Sequence, residues 1–185
     1  MIGKTIAELR EGDHAALTRI VGDEAIAGFV DAVGDYNPVH SDPAYAATTI
    51  FQSPIAPGIF TAGLISAVIG TVLPGPGTIY LSQTLKFVKP VFAGDAITAR
   101  VEIVEVIRGR NRIRLRTVCV NQRGEEVLSG EAWVMPSRTS VVYERRRGGL
   151  STMAAWPLSP WAVAAQTMAV WSALATTAFG SAWRR

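Results

Sequence analysis

Only one cysteine, Cys119, occurs among the 185 residues, which excludes an internal disulfide and any metal site built on grouped thiolates. A reducing setting fits best. Charge of one sign is also scarce: Lys and Arg exceed Asp and Glu by 3 in the whole chain. Residues 1–140 hold 13 Lys/Arg against 14 Asp/Glu, or −1, and residues 141–185 hold 5 Arg against 1 Glu, or +4. A near-neutral body with no interleaving of basic and aromatic residues is a poor nucleic-acid surface, so no nucleic-acid partner is expected. The opening MIGKTIAELREGDHAAL is charged throughout and has no apolar run of signal-peptide length. The expectation is a cytoplasmic protein.

About half of the residues are apolar, enough to close the core of one domain. His14 to Val21 alternates as an edge strand would, with His14 expected to face solvent. Gly22-Asp23-Glu24 then supplies a helix start, and Ala25 to Val33 carries Ile26, Phe29, Val30 and Val33 at helical spacing. Pro43 to Ala47 suits a short helix with Pro43 in its first turn. Pro57-Gly58 opens a second helix, Ile59 to Val72, apolar almost all round and therefore expected to be nearly enclosed. Four strand-like runs follow: Thr78 to Val88, Ala96 to Val106, Arg112 to Asn121 and Glu126 to Met135, with hairpin connections expected at Gly94-Asp95, Arg108-Gly109 and Arg123-Gly124. One apolar helix followed by a consecutive antiparallel meander predicts an α+β layer whose sheet wraps the helix. Such a sheet leaves edges exposed, so pairing of two copies is expected.

The segment Gly34 to Ala46, GDYNPVHSDPAYA, carries the chemistry. Asn37 stands before Pro38, which disfavours helix at that point and forces the chain to turn out. Asp35 and His40 flank the break, where a loop can aim both side chains into one pocket. A carboxylate beside an imidazole suits proton transfer near neutral pH. Spacing alone also fits a surface pair or a helix cap. Similarly, Gly58 at a helix start presents an unpaired N–H at the positive end of the helix dipole, where an oxyanion would be stabilised, although Pro-Gly is also a common plain helix start.

Three stretches, GDYNPVHSDPAYAATTIF, PIAPGIFTAGLISAVIGTVLPGPGTIYLSQTLKFVKPVFAGD and GEEVLSGEAWV, resemble the MaoC-like, (R)-specific enoyl-CoA hydratase family over roughly residues 5–135. The resemblance implies a hot-dog fold, with an antiparallel sheet around a central apolar helix, and reversible addition of water to a trans-2-enoyl-CoA. It implies that Asp35 and His40 are the acid/base residues and that the Gly58 N–H binds the thioester oxygen. Ser66, Asn37 and Pro57 are implied near the substrate. Many relatives have His-Gly where this chain has Pro57-Gly58, so the oxyanion contact is expected to rest on Gly58. No metal and no separate cofactor are called for, because coenzyme A is part of the substrate. A homodimer is the expected assembly, and fatty-acid or polyhydroxyalkanoate metabolism the expected setting. The alternatives are a hot-dog acyl-CoA thioesterase, since one fold hosts both reactions, and a non-catalytic granule or membrane tether.

Arg108, Arg110, Arg112, Arg114 and Arg116 recur with period two, which predicts one arginine-bearing strand face. It is either a solvated outer face or a patch for the phosphates of coenzyme A. The hydratase domain is expected over 1–137, a linker over 138–150, and an apolar, Trp-rich, helical tail over 151–185. From Gly148 to Trp183 the tail has no charged residue. A helix from Ser159 or Pro160 to Trp183 would be about 37 Å long, more than a ~30 Å hydrocarbon core. On a helical wheel Trp161, Met168, Trp171, Phe179 and Trp183 share one side, opposite Gln166 and Thr177. That suits a helix lying on a lipid or polymer-granule surface, beside the options of a spanning helix or of packing on the protein's own dimer.

Overall fold

The computed structural model describes residues 1–144. Alternation builds the sheet: in β4 (Ala96–Ile107) Ile97, Ala99, Val101 and Ile103 are buried, and in β5 (Arg112–Val120) Ile113, Leu115, Thr117 and Cys119. A period of two places each set on one face. Against that face lies α3 (Gly58–Thr71), which touches β2 (His14–Ile20), β3 (Ile79–Phe87), β4 and β5. With β6 (Glu126–Met135) these strands form a five-stranded antiparallel sheet in the order β2-β4-β5-β6-β3. A curled antiparallel sheet holding one apolar helix is the expected α+β hot-dog arrangement. Burying each Leu, Ile or Val side chain of the core contributes roughly 1.5–3 kcal/mol.

Two expectations about this sheet need correction. The strands are not a consecutive meander, because β3 pairs with β6 at the far edge and not with β4. Pro90 has no N–H to continue a ladder, and the chain leaves β3 to cross over, with Ala56 N–H donating to Val91 O at 2.8 Å. Gly94-Asp95 is therefore not a hairpin: Gly94 N–H donates to Val21 O and Val21 N–H to Asp95 O, which docks the entry of β4 onto the end of β2. The other correction concerns α3, which is not enclosed within one chain. Leu64, Ile65, Val68 and Ile69 are buried, but Ile59, Gly63, Ser66 and Gly70 lie exposed along the opposite stripe. The sheet covers one side only, and a mean hydropathy cannot say which side that is.

The arginine run also divides. Arg108 to Arg110 form the 3-10 turn between β4 and β5, and Arg108 reaches back to the carbonyls of Ile6 and Leu9. Only Arg112, Arg114 and Arg116 share the strand face. Arg114 bonds Glu105 and Glu131, and Arg116 lies 3.3 Å from Glu102, so two of the three arginines on this outer face are paired with carboxylates.

Helix α1 (Asp23–Val33) buries Ile26 and Val30, and its Phe29 meets Phe60 of α3 edge-on at 5.7 Å. Val33, expected on its inner stripe, is instead exposed. Within the stretch expected to be linker, β7 (Val141–Val142) pairs with β1 (Ile2–Gly3). The packed body thus extends past residue 137, because the β-branched pair can complete a ladder that the turn-rich residues before it cannot. No helix among the described residues is long and apolar enough to cross a membrane. The tail expected at 151–185 lies outside the described residues.

Candidate active site

Helix α1 ends at Gly34, whose left-handed φ of 73° returns its N–H to Val30 O and turns Asp35 out of the helix. A residue without Cβ takes that conformation at no steric cost. Two residues on, the Asn37 side chain accepts a hydrogen bond from Val39 N–H and caps the 3-10 turn Pro38–His40. Helix α2 (Pro43–Ala46) follows, capped by Asp42, which accepts from the amides of Ala44 and Tyr45. The loop between α1 and α2 is thus fixed by its own polar side chains.

It is also tied to the segment that leads into α3. Ile55 N–H donates to Val39 O at 3.1 Å, and His40 Nδ1 lies 2.7 Å from Ile55 O. On its other side Ile55 bridges Phe92 of the crossover. A carbonyl only accepts, so Nδ1 carries the proton and the neutral ring presents the Nε2 lone pair to Asp35. Asp35 Oδ2 stands 3.6 Å from Nε2, beyond direct hydrogen-bond reach. The imidazole is 10% exposed and the carboxylate 46%: one is fixed in the wall, the other is open at the rim.

His40 faces a cavity of about 390 Å³ between the start of α3 and the β3–β6 edge of the sheet. Gly58, Ile59, Thr61, Phe87 and Leu128 line it with His40. Gly58 is the first residue of α3, and a Cβ there would come within 2.6 Å of the Phe87 ring. Pro57, the N-cap, offers no side-chain cap. The amides of Gly58 and Ile59 make no backbone hydrogen bond among the described residues, as expected for a helix's first turn. Lys89, also on the wall, is held by Glu125 at 2.6 Å. Its hydrogen bonds, with those from Asn121 and Arg123, keep the Glu125 carboxyl at about 2.

Of the residues expected at the site, His40 and Gly58 share the cavity wall and Asp35 stands beside His40. Asn37 shapes the loop, and its side-chain oxygen is engaged with Val39. Pro57 is buried at the helix start, and Ser66 lies on the exposed stripe of α3, outside the cavity wall of a single chain. His14 is exposed and stands apart, with Nδ1 3.1 Å from Gly12 O. Sequence reasoning missed the Ile55 carbonyl, a backbone group that no residue identity announces. Thr61 and Phe87 were also missed, each hidden in a run that reads as core. Burial pushes the Cys119 thiol up to about 12, so at neutral pH it is an inert core side chain.

The MaoC like domain model matches residues 7–123, and the chain belongs to that family. It is 42% identical over 132 residues to the (R)-specific enoyl-CoA hydratase of Rhodospirillum rubrum, a match covering 71% of this chain and 91% of that protein. With the 3-hydroxybutyryl-CoA dehydratase of Methylorubrum extorquens it shares 46% identity over 127 residues, 69% of this chain and 80% of that one. Among solved structures, the unliganded R-hydratase PhaJ1 of Pseudomonas aeruginosa superposes with a TM-score of 0.74 at 42% identity, covering 81% of this chain and 97% of that chain.

Proposed function

We propose that this protein is an (R)-specific enoyl-CoA hydratase, or in reverse a 3-hydroxyacyl-CoA dehydratase, that adds water to trans-2-enoyl-CoA. The observation that carries the reading is the pairing of Asp35 with an imidazole whose tautomer Ile55 O fixes, beside a cavity that also holds an uncapped helix start. Two acceptors have no proton to share between them, and at 3.6 Å apart they suit one bridging water. It donates one hydrogen to Nε2 and one to Oδ2, leaving its own lone pairs free to attack C3. As the C3–O bond forms, the pair takes a proton from the water and the alkene electrons move toward the thioester oxygen. The Gly58 amide, at the positive end of α3, stabilises that developing negative charge. The pair then returns a proton to C2, so one water is added across the double bond. Asp35 and His40 act as one coupled unit, without separate assignments.

The homodimer is part of the same proposal. Edge strand β3 exposes Ile79, Leu81 and Phe87, next to Ile59 of the open α3 stripe, whereas among the large apolar residues of the other edge strand, β2, only Ile20 is exposed. A second copy covers the richer edge and meets Ser66 on the same stripe. A cytoplasmic enzyme of fatty-acid or polyhydroxyalkanoate metabolism follows from this chemistry, and residues 151–185 are the segment proposed to hold it to a lipid or polymer-granule surface. Fractionation of cells carrying the full chain, or one ending at Glu144, tests that association.

Purified protein mixed with C4, C6 and C8 trans-2-enoyl-CoA should remove the enoyl absorbance without releasing thiol, and chiral analysis should return the (R)-3-hydroxy product. Thiol release would instead make it a thioesterase. Neither change would leave it a tether.

A further inference from the structure

Three polar side chains line the cavity: His40, Lys89 and Thr61. The first is bonded to Ile55 O and the second to Glu125. Thr61 is 3% exposed, and its hydroxyl has no hydrogen-bond partner among the described residues. Thr71, at the other end of the same helix, gives its hydroxyl to Ala67 O at 2.6 Å. The equivalent bond from Thr61 to Pro57 O is not made, although a buried hydroxyl normally takes it. Thr61 Oγ1 is not among the sealed polar atoms of the interior, where Thr78 Oγ1 alone is left without a partner among the described residues. It is therefore open to the cavity that Thr61 lines.

Its direction is set by the helix. Side chains of an α-helix lean toward its N-terminus and cover the turn before their own Cα. Thr61 stands three residues after Gly58 and four after Pro57, so its side chain covers the turn that presents the Gly58 amide. Pro57 itself brings no donor to that turn.

We propose that the Thr61 hydroxyl is a second hydrogen-bond donor to the thioester oxygen, acting beside the Gly58 amide. The assignment rests on the hydratase reading and adds a side-chain contact to it. The hydroxyl keeps its own proton throughout; it donates a hydrogen bond that strengthens as the oxygen gains charge during attack on C3, so its effect falls on turnover more than on binding.

The test compares Thr61→Val, which keeps the branched shape and removes the donor, with Thr61→Ser, which keeps the donor. The Val variant should lose on the order of 10²-fold in kcat with little change in KM, while Ser stays within a few-fold of the parent. Difference infrared spectra of bound butyryl-CoA, a saturated thioester that cannot be hydrated, supply a readout that packing alone would not move. The carbonyl band should shift toward higher frequency in the Val variant and stay in place in the Ser variant. Parent-like kcat in Thr61→Val, equal losses in both variants, or a band indifferent to the hydroxyl would overturn the proposal. If the parent protein hydrates no enoyl-CoA, the hydratase reading fails, and the band shift still decides whether Thr61 contacts the carbonyl.

Discussion

At the scale of single residues, the His40 ring is oriented by one backbone carbonyl and faces one carboxylate, so loss of either side chain disables the same coupled unit. Asp35→Asn keeps the size and removes the charge; His40→Ala removes the ring. Each should lower turnover by about 10²- to 10⁴-fold, with melting curves close to the parent, since neither residue belongs to the buried core. Parent-like turnover in both variants would remove the pair from the mechanism. Elsewhere, Tyr80 and Cys119 are both pushed up to about 12 by burial. Each stays protonated in the folded chain, whereas unfolding exposes groups that ionise from about 9 to 10. Stability is therefore complete below that range and declines as pH rises toward 12. Chemical denaturation across pH 8 to 11 should show the decline, and Tyr80→Phe should flatten its upper part. Asp35 and His40 were singled out through the family resemblance of their D-x-N-P-x-H stretch, since their spacing across a proline-broken loop also fits a surface pair or a helix cap. The Ile55 carbonyl and the Thr61 hydroxyl were not, since one belongs to the backbone and the other sits in an apolar run.

At the scale of elements, β6 can approach β3 only because Gly130 has no side chain there. A Cβ at that position would lie 1.8 Å from Thr84 O and 3.1 Å from Gln83 Nε2. Retreat would break the β3–β6 ladder and the hydrogen bonds of the Gln83 amide to Thr84 O and Thr117. Gly130→Ala should cost about 3 kcal/mol or more in urea unfolding, far above an ordinary surface change; an effect under 0.5 kcal/mol would contradict the described β3–β6 contact. The five strands of the main sheet were readable to within a residue or two, whereas the short β1 and β7 were not. Alternation names the buried face of each strand, and turn residues mark its ends. Alternation is silent about neighbours, however. The same pattern in β3 serves equally well beside β4 or β6, and the choice was made by the crossover after Pro90.

At the scale of the whole molecule, β3 exposes the apolar row Ile79, Leu81 and Phe87, and α3 exposes the stripe Ile59, Gly63, Ser66 and Gly70. Leu81→Lys should place a charge in that row and shift sedimentation toward the mass of a single chain, with a parallel fall in hydratase activity. An unchanged dimer would move the contact to another surface. The composition of α3 pointed to a nearly enclosed helix, whereas its own sheet covers one side only. The division of its cover between that sheet and the proposed second copy was not legible, because small residues on the open stripe look the same in either setting.

The strand order also governs how the chain comes off the ribosome. Strand β3 leaves the exit tunnel well before β6, the only strand it pairs with among the described residues, and domains close only when such distant partners are both available. Through that interval the most apolar of the described helices has an incomplete roof, so a nascent chain halted before Glu126 should be held by cellular chaperones, and one released past Met135 should let go of them.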